Sequence, residues 1–268
     1  MVLDRRPFAG LAGEPEWVAL REIVPAATFE VRLADDPDRR VTVATVLPMA
    51  WPAMVRADGG VFLGLQVAAR SGDVSRDLAA ALEEALAAPP GSSVTPTGLP
   101  APGRRLQDLL ADDPVDVTVH EGFDFWLEGA DGVDDEVRAS LERANSAVVP
   151  TARLSSVTAA YWCRMPERNH LRWVLPYDEE PVLDALARLF VADGLSLGEH
   201  TRYIGSFRAH GLVVPVWDLT SAVGADDLEE PATRFAERVG DAVSEHRPLT
   251  DDEQRARRAL AGRQVTIR

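Results

Sequence analysis

The chain contains no lysine; its cationic side chains are arginines, with five histidines beside them. That absence removes the Walker A lysine, the Schiff-base lysine and the Ser-Lys dyad. Cysteine is nearly missing too. Cys163 stands alone, so no internal disulfide can form, which fits a reducing compartment. No apolar run approaches the roughly 18 residues needed to cross a bilayer. The first residues, MVLDRRPFAGLAGEPEW, lack the apolar stretch of a signal peptide. These absences predict a cytoplasmic protein with no membrane role. Positive charge is scarce as well: 43 Asp and Glu face 28 basic residues, for a net charge of −15. Phosphate backbones and anionic lipid repel such a chain. Its densest arginine stretch, Arg255, Arg257 and Arg258, is interleaved with acids, so nucleic acid is not an expected partner.

What is present is an ordinary globular composition: 268 residues, 46% hydrophobic and 26% charged. Within it a pattern recurs. FLGLQV (62–67) and LVVPVW (212–217) each lead through a small-residue loop to an Asp-Leu, at 77–78 and 227–228. Val46-Leu47-Pro48 has a counterpart in Val174-Leu175-Pro176, and a helical stretch ending at Val24-Pro25 has one ending at Val149-Pro150. Four landmarks in one order predict two copies of a single unit. The second copy is longer. After Pro176 it carries DEEPVLDALARLFVADG, whose Leu183, Leu186, Leu189 and Phe190 fall at helical spacing, with Gly194 to close the helix. The first copy has only AWPAMVRADGG there, enough for a single turn.

The expected fold class is therefore α+β, with two pseudo-repeated units of mainly antiparallel sheet flanked by helices. Strands are expected near 28–33, 41–47 and 61–67, then 158–165, 170–175, 203–208 and 212–217. Helices are expected at 76–88 and 226–245. His210-Gly211 is a tight-turn signal. The organisation reads as an N-terminal arm (1–13), a first unit (14–88), a Pro- and Gly-rich linker (89–103), a short helix plus hairpin (104–133), a second unit (134–246) and a C-terminal helix and tail (247–268). The hairpin is VDVTVHEGFDFWLEG, turning at Glu121-Gly122. Thr250 and Glu253 form a capping box for the last helix, and RQVTIR reads as a closing strand.

No motif carries chemistry. No Cys or His pair has metal-ligand spacing; Cys163 and His170 meet only if a hairpin brings them together. No G-x-S-x-G occurs, since Gly205-Ser206-Phe207 lies inside an expected strand, and G-x-G-x-x-G is absent. The acidic stretches GADGVDDE (129–136) and VGADDLEE (223–230) lack the ligand alternation of a calcium loop and read as helix starts. No metal and no cofactor is expected. One cluster remains, in the second unit's expected sheet: Arg172, Trp173, Arg202, Arg208, His210 and Trp217. If the arginines share a face, they form a positive island for a protein partner or a small anionic ligand, with tryptophan as anchor.

The stretches RPFAGL, WVALREIVPAAT, VTVATVLPMAWPAMVR, VTVHEGFDFW, HLRWVLP, GSFRAHGLVVPVWDL and GRQVTIR resemble an actinobacterial family of uncharacterised proteins, a domain of unknown function. The likeness runs collinearly along nearly the whole chain. It implies a cytoplasmic protein and carries over no catalytic residue. Some relatives bear an automatic label tying them to the SecA preprotein translocase, which adds an accessory role in preprotein translocation as a weaker reading. Paired sheets supply surfaces while no catalytic constellation is visible, so a non-enzymatic binding or adaptor protein is expected. The alternative is a hydrolase or transferase with an unfamiliar site.

Overall fold

A computed structural model of the chain describes residues 4–68, 71–95, 98, 102–127 and 135–262. The chain divides into two compact units, residues 1–148 and 149–268. Each has its own mainly antiparallel sheet, so the fold class is α+β as expected.

The first unit contains α1 (Glu14–Glu22), β1 (Ala27–Arg32), β2 (Arg40–Ala44), β3 (Ala53–Val55), β4 (Val61–Gly64), α2 (Val74–Ala87), β5 (Ser93–Val94), β6 (Thr118–Val119) and α3 (Asp135–Ser146). Among the described residues its six strands run in the order β5-β3-β4-β2-β1-β6, and only β2 and β4 are parallel. Strand β1 alternates strictly: Ala27, Phe29 and Val31 are buried, while Thr28, Glu30 and Arg32 take the other face. Trp17 of α1 meets the Phe29 ring edge-on at 4.9 Å. Helix α2 starts where Asp73 accepts the Arg76 N–H, and it packs on β3 and β4 with Leu78, Leu82 and Ala85 buried. The opposite sheet face has a smaller apolar cluster: Ala44, Leu47, Phe62 and Phe125, with Trp51, Met54, Phe123 and Trp126 against it.

Two readings of this unit change. The stretch 53–55, expected in a single helical turn, is strand β3, because Met54 pairs with Phe62 and a hairpin closes over Arg56–Gly60. The stretch 115–127 is not a hairpin. Only Thr118 and Val119 form a strand, paired to β1, and 124–126 is a helical turn that drops Phe125 and Trp126 onto the sheet. The Trp126 indole donates to the Val46 carbonyl at 2.9 Å, and the Asn145 side chain of α3 accepts the Phe123 N–H at 2.7 Å. Burial of three aromatics outweighs the local hairpin pattern.

The second unit contains β7 (Thr151–Arg153), β8 (Ala160–Arg164), β9 (Asn169–Trp173), α4 (Glu179–Val191), β10 (Thr201–Ala209), β11 (Leu212–Leu219), α5 (Glu229–Ser244) and α6 (Asp251–Gly262). The sheet order is β10-β11-β9-β8-β7, antiparallel throughout. His210 and Gly211 form the two-residue hairpin turn, both at positive φ (46° and 81°). Helix α4 is closed by Asp193 in the left-handed region, with the Gly194 N–H on the Leu189 carbonyl. The closing RQVTIR and most of 129–136 lie outside the described residues.

The likeness of the units holds for strand order and stops at direction. The series β3-β4-β2-β1 matches β10-β11-β9-β8. Yet β4 is parallel to β2, whereas β11 is antiparallel to β9. The connection explains this. The short link 45–52 sends β3 back against β2, while α4 acts as a crossover that returns the chain in the direction of β9. Asp77 and Asp227 are accordingly not equivalent. Asp77 lies inside the first turn of α2 and accepts the Ser71 N–H, whereas Asp227 lies in the turn before α5 and accepts the Gly224 N–H.

Candidate functional site

The strand alternation that buries Phe29 aims Thr28 and Glu30 at the other face of the first unit's sheet. Register places Thr42 opposite Glu30, Phe62 opposite Thr42, and Thr118 opposite Thr28. The same period carries Asp116, Thr118 and His120 to one side of the chain that edges β1. The β3–β4 hairpin adds Arg56 and Asp58. These groups line a cavity of about 660 Å³, with Arg40, Pro114 and Phe125 completing its wall. A second cavity of about 240 Å³, lined by Trp51, Met54 and Trp126, shares Arg56 and Asp58 with it.

Most of the polar groups are held in pairs. Thr28 Oγ1 and His120 Nε2 are 2.8 Å apart, and the His120 ring lies 4.8 Å from that of Phe125. Arg40 bonds Glu30 at 2.7 Å. Arg56 bonds Asp58 at 3.1 Å and lies over the Phe62 ring, 5.3 Å from its centroid, a cation–π arrangement that fixes the guanidinium. The Gly60 N–H holds the Asp58 carboxyl below its usual pKa, with burial opposing and Arg56 adding to the effect. Asp116 differs: among the described residues it has no hydrogen bond or ion pair, so it is the uncompensated charge of the lining. The cavity offers hydroxyls, aromatic faces and one unpaired carboxylate, a set suited to a polar, amine-bearing molecule.

The residues expected to form a site in the second unit are dispersed. Trp173 and Trp217 are core side chains, 3% and 0% exposed, with ring centroids 5.7 and 5.1 Å from that of Phe235. The Trp217 indole donates to the Leu195 carbonyl at 2.8 Å. Arg202 and Arg208 do not share a face. A bulge between Tyr203 and Gly205 shifts the register by one residue. Arg202 is thereby opposite Asp218, while Arg208 is opposite the core residue Val213 and pairs with Glu179 of α4. His210 sits in the hairpin turn, about 25 Å along β10 from Arg202. Arg172 and Arg202 do remain on one face, beside His170 and Asp218.

Cys163 and His170 are directly opposite in the β8–β9 pair. Burial pushes the thiol pKa up despite Arg172, so the sulfur is a buried apolar group and not a nucleophile. Among the described residues no group of three or more His, Cys, Asp or Glu could hold a metal.

The first unit's cavity was missed because its residues come from five separate stretches, none dense in charge. The one local signal was the alternation Asp116, Thr118, His120 within VDVTVHE, which reads equally well as half of a hairpin.

The model of one protein family, DUF5926, described as a family of unknown function, matches residues 7–268. No curated protein and no solved structure matches the chain.

Proposed function

The chain belongs to that family of unknown function, and from the geometry of the first unit we propose that the protein binds a small polar, amine-bearing molecule on its sheet without transforming it. The observation that carries this reading is the cavity in which Thr28–His120, Glu30–Arg40 and Arg56–Asp58 converge as preformed pairs around the unpaired Asp116. Groups already tied in pairs cost little reorganisation when a ligand arrives. Asp58, tied to the Gly60 N–H and to Arg56, is held below its usual pKa, the opposite of what a general acid needs. The cavity suits a small molecule better than a protein surface, which narrows the expected binding or adaptor role to ligand binding. No helix among the described residues is long and apolar enough to cross a membrane.

The test is a thermal-shift screen of small amines, amino sugars and neutral polyols, followed by calorimetry. Hits should lose their effect in Thr42→Trp, which fills the cavity, and weaken about tenfold or more in Asp116→Asn. Hits confined to anions, or binding undisturbed by Thr42→Trp, would falsify the reading.

One observation favours an enzyme instead: a hydroxyl 2.8 Å from an imidazole nitrogen is the pair that nucleophilic acyl or phosphoryl transfer uses. Thr28→Val separates the readings. It retains the cavity's shape, so it abolishes turnover if Thr28 attacks a substrate and only weakens binding if it does not.

A further inference from the structure

The second unit's sheet carries a row of four side chains on adjacent strands: Arg202 on β10, Asp218 on β11, His170 on β9 and Cys163 on β8. Arg202 bonds Asp218 at 2.6 Å, Arg168 from the β8–β9 turn reaches it at 3.3 Å, and His170 Nε2 lies 3.4 Å away. The next row on the same face is Val216, Arg172, Tyr161 and Arg153. Arg168 and Arg202 thus share the Asp218 carboxylate, and Arg172 lies on the same face in the next row. Arg172 is the exceptional one. It is half-buried, its Nε is fully buried, and its guanidinium has no hydrogen bond or ion pair among the described residues. A buried guanidinium donor without an acceptor is costly, and a bound oxyanion would satisfy it. The side chains of Arg202 and Arg168 are 69% and 57% exposed, so the edge of the cluster is open to solvent.

We infer that Arg172, Arg202 and Arg168 form an anion site for a phosphate group, with Asp218 as the internal carboxylate that the anion displaces. Planar guanidinium forks match phosphate oxygens in pairs, which favours phosphate over a halide. The local potential fits. Burial, Arg172 and Arg168 hold the His170 pKa below its usual 6.5, and only Asp218 opposes them. The site is independent of the cavity in the first unit, and it retains two of the six residues that the sequence singled out.

The experiment follows the His170 imidazole by NMR in the full chain as inorganic phosphate is added, with sodium chloride matched for ionic strength. A bound dianion offsets the arginines, so the His170 pKa rises towards 6.5. Arg202→Ala, on the open edge, and Arg172→Gln should each weaken phosphate about tenfold or more. Asp218→Asn should tighten it, because the competing carboxylate is gone. Glucose 6-phosphate distinguishes a monoester site, where it binds as the free ion does, from one that admits phosphate alone. An equal shift with chloride overturns the inference, as does a phosphate affinity unchanged by Asp218→Asn. So does an unmoved His170 at tens of millimolar phosphate.

Discussion

Trp217 is fully buried, its ring meets Phe235 edge-on, and its indole N–H has the Leu195 carbonyl as acceptor. Replacing it with alanine opens a cavity and leaves that carbonyl without its donor. Trp217→Ala should cost about 3–5 kcal/mol in chemical denaturation. A loss below about 1 kcal/mol would mean that the core collapses around the gap. The sequence pointed to Trp217 as an anchor for a partner, whereas the structure buries it in the core. Strand periodicity says which residues share a face and leaves open which face is buried. For Arg202 and Arg208 even the shared face was illegible, because the bulge at Tyr203–Gly205 depends on pairing with β11.

The capping box of α6 shows what local signals can specify. Thr250 Oγ1 accepts the Glu253 N–H at 3.3 Å, and Glu253 accepts the Thr250 N–H at 2.8 Å. Arg247 adds two bonds of 2.6 Å to the same carboxylate. Those bonds from Arg247 hold the Glu253 pKa at about 2; burial opposes them, and Thr250 assists. The folded pKa thus lies below the usual 4.5, so the contribution is complete above pH 4.5 and is lost as the pH falls towards 2. Glu229 behaves alike. Burial works against its charge, but the Ser155 and Ser156 N–H and hydroxyl groups hold it at about 2. Glu253→Gln should lower the melting temperature at neutral pH. It should also flatten its decline between pH 4.5 and 2, with the remaining slope due to Glu229 and other carboxylates. A thermal series across that range checks this; an unchanged slope would show the Arg247 bonds to be incidental. The capping box and the His210-Gly211 turn were legible because each is complete within four residues. β5, β6 and β7, two or three residues long, have no period of their own and exist only through the strands beside them.

At the scale of the molecule, strand order followed the recurring pattern, but the Asp-Leu pairs at 77–78 and 227–228 did not take equivalent places. Strand polarity did not follow the pattern either, because it depends on whether a link reverses or crosses over. Ala-Asp-Gly illustrates this: at 57–59 it turns a hairpin, and at 192–194 it ends a helix. The charge balance was legible in full, and it makes a prediction for the whole chain. Many of the arginines pair with acids at the surface, where each pair contributes little, about 0–1 kcal/mol. A net charge of −15 leaves long-range repulsion among the remaining carboxylates. The Debye length shrinks from about 30 Å at 0.01 M salt to about 8 Å at 0.15 M. Repulsion acts over longer distances than the paired contacts, so screening removes more of the repulsion than of the attraction. The melting temperature should therefore rise with sodium chloride over that interval, by about 2–4 °C for each kcal/mol relieved. Calorimetry at fixed pH measures it. A fall in melting temperature would instead mean that the arginine–carboxylate pairs act as a cooperative network whose attraction exceeds the repulsion of the excess acids.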